Sequence, residues 1–512
     1  DSFEQAFAVL KTRSEICDAT SKYYGTLKED EITFKVPVVM LVHYGPEYYR
    51  GTEKVGSSGG NVSEAPAIFF RNINKDGGQP LIVRTADPKG NRAVLVHPVI
   101  RRSKNIELNN LDIVSDDTLL DNALDIDNGM GRYNREGLEE DFNKIPLPNT
   151  AKEDATINVT IKNCFVESFG RNCIHLSGVD GVHIENNEFY TKFDFEQASK
   201  EVAEDVVDWG GTIKMINSTN IKFLRNNSEG TLATSFFIQG CQGLLIMNNV
   251  FWNDNSVVVN EFNQGNRTVA NIRLVTVDDA ESNFPLKNIG IYYNTFFIQN
   301  NDAADASYIN FDFFRLGGAD KESKQIVTKD NMDNFVPTTI RFKYNNCYSY
   351  DDDIIGNNRY DTEKQANDPV NAIKYYLQGI GEIIYKQNKT EAEAKTMADW
   401  CACFSYNNFW SEYDKVKGLQ SSNFEIGMFC TGANETFNLY QDVSTQVCKT
   451  SPTNPGSLVV LGGEMNIGTV ITDDKSLQGA DKLYNDRLNP DNGTYSARPQ
   501  VVVDNSNESL NP

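Results

Sequence analysis

The sequence predicts an all-β protein, a solenoid of short strands stacked coil upon coil, and three observations predict it. Seven segments carry apolar alternation that runs into asparagine: residues 105–111, 159–165, 182–189, 221–227, 244–250, 289–296 and 340–346, with a weaker eighth copy at 404–409. The spacing is regular, since Asn163 and Asn187 lie 24 residues apart, Asn227 and Asn249 lie 22 apart, and most other gaps approach two such periods or carry an insertion. A period in the low twenties marks a repeat architecture whose coils bury their apolar residues only against neighbours. Composition agrees, because 36 glycines, 16 prolines and 11% aromatic residues suit a folded chain rich in strands and turns. Asparagine recurs for a physical reason: it tolerates left-handed backbone and can hydrogen-bond to its counterpart one coil along.

Residues 2–17 show helical periodicity through Phe3, Phe7, Ala8, Leu10 and Ile16. A capping helix within residues 1–20 is expected over the open first coil, because an uncovered strand stack is an aggregation edge. Coils are expected over 31–350, irregular at 31–42, 67–71 and 81–84 and regular from about residue 90. Insertions interrupt them at 128–156, 190–210, 251–287 and 317–336. Residues 351–400 leave the repeat, and 372–400 reads as helical through Ile373, Tyr376, Leu377, Ile380 and Ile384, either a packing excursion or a substrate lid. Residues 401–512 hold the last coil or coils and a polar C-terminal segment. A solenoid lengthens without a second core, so the 512 residues count as one domain.

Charge excludes one class of partner. With 71 acidic against 48 basic residues the net charge is −23, the wrong sign for phosphate recognition, so nucleic acid is not expected. No run of 18 apolar residues is present, and no membrane span is expected. The chain begins at Asp1 without methionine, the form of a trimmed mature protein. The expected location is secreted, periplasmic or at the cell surface, with a lipid anchor in a removed leader as one route. Nine cysteines include no Cys-x-x-Cys pair, which argues against a zinc cluster. Cys164, Cys241 and Cys347 read as small apolar fillers, whereas Cys430 and Cys448 are candidates for closing a loop. Nine Asn-x-Ser/Thr sequons, including those at Asn61, Asn158, Asn217 and Asn266, arise readily in an asparagine-rich repeat.

The order of apolar strand, turn, apolar strand and asparagine resembles the right-handed parallel β-helix of the pectate-lyase-like superfamily. Residues 172–178 and 181–189 carry the likeness most clearly, as first strand, short turn, second strand, asparagine turn and third strand. About half the chain is covered. Residues 477–481, with 491–493 and Arg498, are similar to the closing segment of secreted β-helix proteins from glycan-degrading bacteria. The resemblance implies a glycan cleft on the first parallel sheet. It transfers no catalytic residue, because lyases, hydrolases, epimerases and adhesive spikes share the scaffold.

Neighbouring coils of a parallel stack sit about 4.8 Å apart, so equivalent strand positions form columns. Aligning residues 124–127, 174–177, 213–216 and 236–239 gives an apolar inward set and two outward columns. The first reads Asp125, His175, Lys214, Phe237, and the second Asp127, Ser177, Ile216, Gln239. An acid, an imidazole and an amine then share a patch on the order of 10 Å. The flanking insertions bring Arg132, Tyr133 and Arg135 to one side and Asp205, Asp208 and Trp209 to the other, with Trp209 or Tyr133 suited to stacking on a pyranose. The competing interpretation is a solvated charge ladder. His183 reads as an ordinary exposed residue, and His43 and His97 are assigned no role. Asn310, Asp312 and Arg315 suggest a distal subsite at least two coils beyond Phe237. The register at 257–276 stays open, leaving Glu261, Arg267 and Arg273 unplaced.

Three functions compete. A polysaccharide lyase would use Arg132 or Arg171 to neutralise a uronate carboxylate and Lys214 or His175 as base, with Asp125 and Asp127 holding Ca²⁺ or no cofactor at all. A glycoside hydrolase would draw its acid and base from Asp125, Asp127, Asp205 and Asp208. A non-catalytic glycan-binding or surface structural protein would show an aromatic stripe without an acid–base cluster. The expected partner in each case is a polysaccharide or oligosaccharide plant or host glycan, and the expected state is a monomer. A Ser177, His175 and Asp127 relay is disfavoured, because positions two apart on one strand place a nucleophile poorly against its base.

Overall fold

The computed structural model describes residues 2–24, 27–45, 48–51, 53–55, 65–115, 122–129, 155–169, 172–191, 211–230, 235–254, 267–275, 286–299, 309–316, 340–343, 345–349, 408–411 and 446–447. Most of these are strands in three parallel sheets, and from Ala93–Val96 to Asn346–Ser349 successive strands join the third, first and second sheets in rotation. The first sheet runs from Ala65–Arg71 through Pro98–Arg101, Leu124–Asp127, Ile174–Ser177, Ile213–Ile216, Phe236–Gln239 and Arg267–Val275 to Ile309–Leu316, with Glu53–Val55 antiparallel at its edge. The second runs from Val38–Val42 to Ile340–Lys343, and the third from Ala93–Val96 to Asn408–Ser411 and Gln446–Val447. Asn408–Ser411 pairs in parallel with Asn346–Ser349, so Asn408 and Phe409, the end of the weak repeat, join a sheet. The helical stripe at 372–400 lies outside the described residues.

Alternation explains the core. Along Thr156–Lys162, Val179–Glu185 and Gln242–Met247, positions such as Val159, Ile161, Val182, Ile184, Leu244 and Ile246 are buried while their neighbours remain partly exposed. Inside the stack, Phe223, Phe251 and Phe296 lie on successive coils, with Phe251 and Phe296 parallel at 4.9 Å between ring centres. Each residue gains its burial from the coils above and below, as a solenoid requires.

The corner between second and third sheets divides the asparagine signal into two roles. The left-handed position is taken by Asn110, Asn163, Asn186, Arg225, Asn248 and Tyr293, whose φ angles lie between 55° and 60°. The residue after it points along the stack: Asn187, Asn226, Asn249, Asn294 and Asn345 form a ladder in which each side-chain oxygen accepts from the backbone and side-chain N–H groups of the preceding rung. Cys164 occupies the rung before Asn187 and donates its backbone N–H to it. Asn163 is therefore a turn residue and Asn227 a strand residue rather than a ladder member. A second left-handed column crosses the second sheet at Asn105, Asn158, Gly181, Asn220, Gly243 and Asn288.

The N-terminal helix spans Phe3–Lys11, opened by a capping box between Ser2 and Gln5. Phe3 and Phe7 pack edge-on against Phe70 of the first sheet. It is shorter than the periodicity suggests, because Cys17–Tyr24 instead pairs antiparallel with Leu27–Phe34. Of the residues expected to be apolar fillers, Cys164 and Cys241 are fully buried and free, as are Cys173 and, near the helix, Cys17; the side chain of Cys347 lies outside the described ones.

Candidate functional site

The first sheet departs from the alternation seen elsewhere. All four positions of Leu124–Asp127, Ile174–Ser177, Ile213–Ile216 and Phe236–Gln239 are buried, so both of its faces are withdrawn from solvent over four coils. Strand register pairs Asp125 with His175, His175 with Lys214 and Lys214 with Phe237, and pairs Asp127, Ser177, Ile216 and Gln239 in the same order. The first column continues through Arg273 to Arg315, two coils beyond Phe237. Asn310, Asp312 and Arg267 lie on the same two strands, off this column.

Asp125 is the centre of the site. Its carboxylate is wholly buried and receives three side chains: His97 Nε2 at 2.8 Å on Oδ2, His175 Nδ1 at 3.1 Å on Oδ1, and Asn122 Nδ2 at 2.8 Å on Oδ1. Burial alone would raise the carboxyl's pKa, but the hydrogen bonds it accepts from His175 and His97 outweigh it and hold Asp125 well below the ordinary carboxylate range. A carboxylate only accepts, so each ring presents N–H to it: His97 from Nε2 and His175 from Nδ1. That tautomer leaves Nε2 as the basic nitrogen of His175. Asn122 is itself fixed by Asn172, whose backbone and side-chain N–H groups both reach its oxygen.

His97 is the site residue that sequence reasoning passed over. It sits in the corner between Ala93–Val96 and Pro98–Arg101, with φ at 45°, a left-handed conformation unusual outside glycine. The signal was legible: Val99 is the register partner of Asp125, so extending the alignment one coil back brings His97 to the carboxylate. The corner itself falls between two short apolar strands, Ala93–Val96 and Pro98–Arg101, and periodicity alone does not mark it.

Asp127 has a different environment. Arg101 holds it through Nε on Oδ1 at 2.6 Å and a terminal nitrogen on Oδ2 at 2.8 Å, and Gly129 donates its backbone N–H to Oδ1 at 2.7 Å. Gly129 has φ at 77°, so a side chain there would be strained while making this contact. Ca²⁺ at Asp125 and Asp127 would have to displace these donors, so the pair as arranged does not fit the ion. Among the described residues no group of three or more His, Cys, Asp and Glu is arranged to hold a metal.

Lys214 places Nζ 5.4 Å from the centre of the Phe237 ring, a cation–π arrangement inside the buried face. Ser177 Oγ has no hydrogen-bond partner among the described residues, and His175 is held by Asp125 rather than Asp127, so no Ser177, His175 and Asp127 relay is formed. His183 is partly exposed on the second sheet beside Glu185, with its pKa lowered by partial burial and by Lys222, Arg225 and Lys162. Arg132, Tyr133, Arg135, Arg171, Asp205, Asp208, Trp209 and Glu261 lie outside the described residues.

No family model, curated protein or solved structure matches this chain. Its chemistry is therefore read from its own residues. A cleft of about 280 Å³ opens elsewhere, between the N-terminal helix and the first coils, lined by Phe3, Phe7, Lys28, Glu29, Phe69 and Arg71. Its charges are of mixed sign and bridge one another, Glu29 pairing with both Arg71 and Arg102. The titratable cluster on the first sheet is the better candidate for chemistry.

Proposed function

We propose that this protein is a carbohydrate-active β-helix of the right-handed, pectate-lyase-like type, and that it cleaves a uronate-containing polysaccharide by β-elimination. One observation carries the proposal: Asp125 is kept ionised between His97 and His175, with Lys214 on the next coil. An anionic carboxylate on Nδ1 orients His175 and leaves Nε2 as its acceptor nitrogen, the arrangement a general base requires. In the proposed reaction Nε2 takes the proton from the carbon next to the uronate carboxylate. The pair of electrons left behind forms a carbon–carbon double bond, and the glycosidic carbon–oxygen bond breaks. The departing oxygen takes up the proton that His175 has gained. Lys214 offsets the substrate carboxylate, which favours charge development on the neighbouring carbon.

The hydrolase alternative asks a carboxylic acid to deliver a proton. Asp125 is held below the usual range by two histidines, and Asp127 is engaged on both oxygens by Arg101, which opposes that role for either. The proposed chemistry needs no metal on these carboxylates. A polymeric substrate is met outside the cytoplasm, so the proposed setting is secreted, periplasmic or cell-surface. Among the described residues no helix is long and apolar enough to cross a membrane.

The test is incubation with acidic and neutral polysaccharides, with and without Ca²⁺, reading unsaturated-product absorbance and reducing ends together. Elimination yields both signals on a uronate polymer and neither after His175→Ala. Reducing ends without absorbance would establish hydrolysis and overturn the proposal, as would silence across the panel.

A further inference from the structure

The two columns on the outer face of the first sheet differ in how their polar groups are satisfied. In the first, Asp125 and His175 hold one another and Lys214 stands over Phe237. In the second, Asp127 is taken by Arg101 and Gly129, and Ser177, Ile216 and Gln239 follow it on successive coils. Ser177 is 2% exposed, and its Oγ has no hydrogen-bond partner among the described residues. Gln239 is 7% exposed, and its side-chain amide makes no hydrogen bond among the described residues. Hydroxyls and amides withdrawn from bulk water are almost always paired with protein, ordered water or ligand, because an unpaired one forfeits its hydration. The buried hydroxyls of Ser103, Thr156 and Ser218 obey that rule, each reaching a backbone carbonyl. Thr295 Oγ1 is unpaired as well, but on the third sheet. Ser177 and Gln239 border the titratable cluster.

We propose that Ser177 and Gln239 are specificity-determining contacts for glycan hydroxyl groups, on the ring edge opposite the one met by His175 and Lys214. The inference deepens the elimination reading of this site and rests on it. Positions two apart on a strand are about 6.6 Å apart, so a pyranose laid across the sheet meets both columns at once. Register sets Ser177 beside Ile216 exactly as it sets His175 beside Lys214. A uronate with its carboxylate at Lys214 and its acidic C–H at His175 therefore turns its far edge, which carries hydroxyls, towards Ser177. Gln239 lies two coils from Ser177, about 9.6 Å along the stack, where it meets the neighbouring unit of the polymer. A serine hydroxyl and a glutamine amide each donate and accept, which suits a neutral hydroxyl. Ile216 between them is wholly buried and offers only apolar surface. The cations of this column, Arg71 and Arg101, are committed to Glu29 and Asp127. An O-sulfate there would bring a charge without a counter-ion, and an O-acetyl ester would bring bulk without a donor. A site built to hydrogen-bond a hydroxyl rejects the analogue that lacks it. The substrate class is thus a uronate polymer with unsubstituted ring hydroxyls.

The test measures turnover and binding separately. Polygalacturonate and alginate, each free and O-acetylated, are offered to the full chain; initial rates of unsaturated-product formation give kcat and KM, and electrophoresis in gels containing the same polymers gives binding. At least one free polymer should be cleaved, and its acetylated form about tenfold less efficiently or worse. Ser177→Ala and Gln239→Leu should each raise KM about fivefold with a smaller change in kcat, the scale of one neutral hydrogen bond. Ser177→Ala should also narrow the gap between free and acetylated polymer. Neither substitution strips a partner from another residue, and an unchanged urea midpoint separates the lost contact from a folding defect. Wild-type KM in both variants, the result if water fills these places, would overturn the proposal, as would equal efficiency on free and acetylated polymer. If a polymer is bound but not cleaved, the elimination reading fails by itself: weaker retardation of Ser177→Ala in the free polymer then upholds the contact, and unchanged retardation refutes it. Binding of none of the polymers overturns both.

Discussion

His97 and His175 lie on coils to either side of Asp125 and grip opposite oxygens of its carboxylate, at 2.8 and 3.1 Å. The carboxylate is thereby fixed from both directions along the stack, and the ring that follows it is held in one tautomer. Both contacts are wholly within the protein, where a hydrogen bond to a charge is stronger than it would be in water.

Asp125→Asn is the direct test of that arrangement. The amide has nearly the carboxylate's shape but offers only one acceptor, so one imidazole loses its partner and the preference for Nδ1–H on His175 is removed. If His175 is the base, turnover should fall a hundredfold or more, within the range for loss of general-base catalysis, while substrate binding changes little. Separate kcat and KM measurements on a uronate polymer check this, and a loss confined to KM would contradict it.

Acid stability should report the same carboxylate. The folded pKa of Asp125 is depressed relative to the unfolded value of about 3.9, so its contribution is fully present above that value. It is lost as pH falls from there through the folded value. Chemical denaturation at pH 7 and at pH 3 should therefore show a drop for the wild type that is smaller for Asp125→Asn. An equal drop in both would assign acid sensitivity to other groups.

Arg101→Ala should destabilise the fold by about 3 kcal/mol, because it strips a bidentate partner from a mostly buried Asp127 and leaves Gly129 N–H as the contact on Oδ1. Arg101→Met together with Asp127→Leu, apolar residues of similar size, should recover much of the loss. Urea titration of the three proteins measures both effects.

Asn226→Ala removes a rung that accepts from Asn187 and donates to both Ile184 and Asn249. Several buried polar groups lose partners together, so a loss of about 2 kcal/mol or more is expected. Lys222→Ala, outside the ladder on the second sheet, should cost under about 0.5 kcal/mol. Thermal and urea unfolding followed by circular dichroism compares the two.

Cys164 and Cys241 are buried among backbone carbonyls, and burial pushes both thiols up to about 12. Cys173 is raised by the same cause. A thiol-specific reagent at pH 8 should leave these three unmodified in the native protein and label them once it is unfolded, as peptide mapping would show.

Much of this fold was legible because solenoid coils repeat one pattern. The alignment of residues 124–127, 174–177, 213–216 and 236–239 matches the observed register residue for residue, since alternation leaves each short strand only one way to face the core. The asparagine rule was legible in kind but not in place. Adjacent Asn–Asn pairs such as Asn186 and Asn187 contain one turn residue and one ladder residue, and periodicity does not tell them apart. The site was half legible. Asp125, His175 and Lys214 followed from the column, but an outward position was taken to mean an exposed one. His97 was missed because its contact depends on a left-handed corner between two short apolar strands, and Arg101 because the alignment began one coil too late.

The asparagine ladder gives the stack a polarity. Each rung from Asn187 to Asn294 donates N–H groups towards the next coil and one side-chain N–H back to a carbonyl of the coil before, so the two ends of the ladder are not equivalent. Under tension the corner should yield one rung at a time, a ratchet of small steps rather than a single rupture. Release from the Cys164 side, where a thiol replaces the amide, would begin at a rung with fewer bonds.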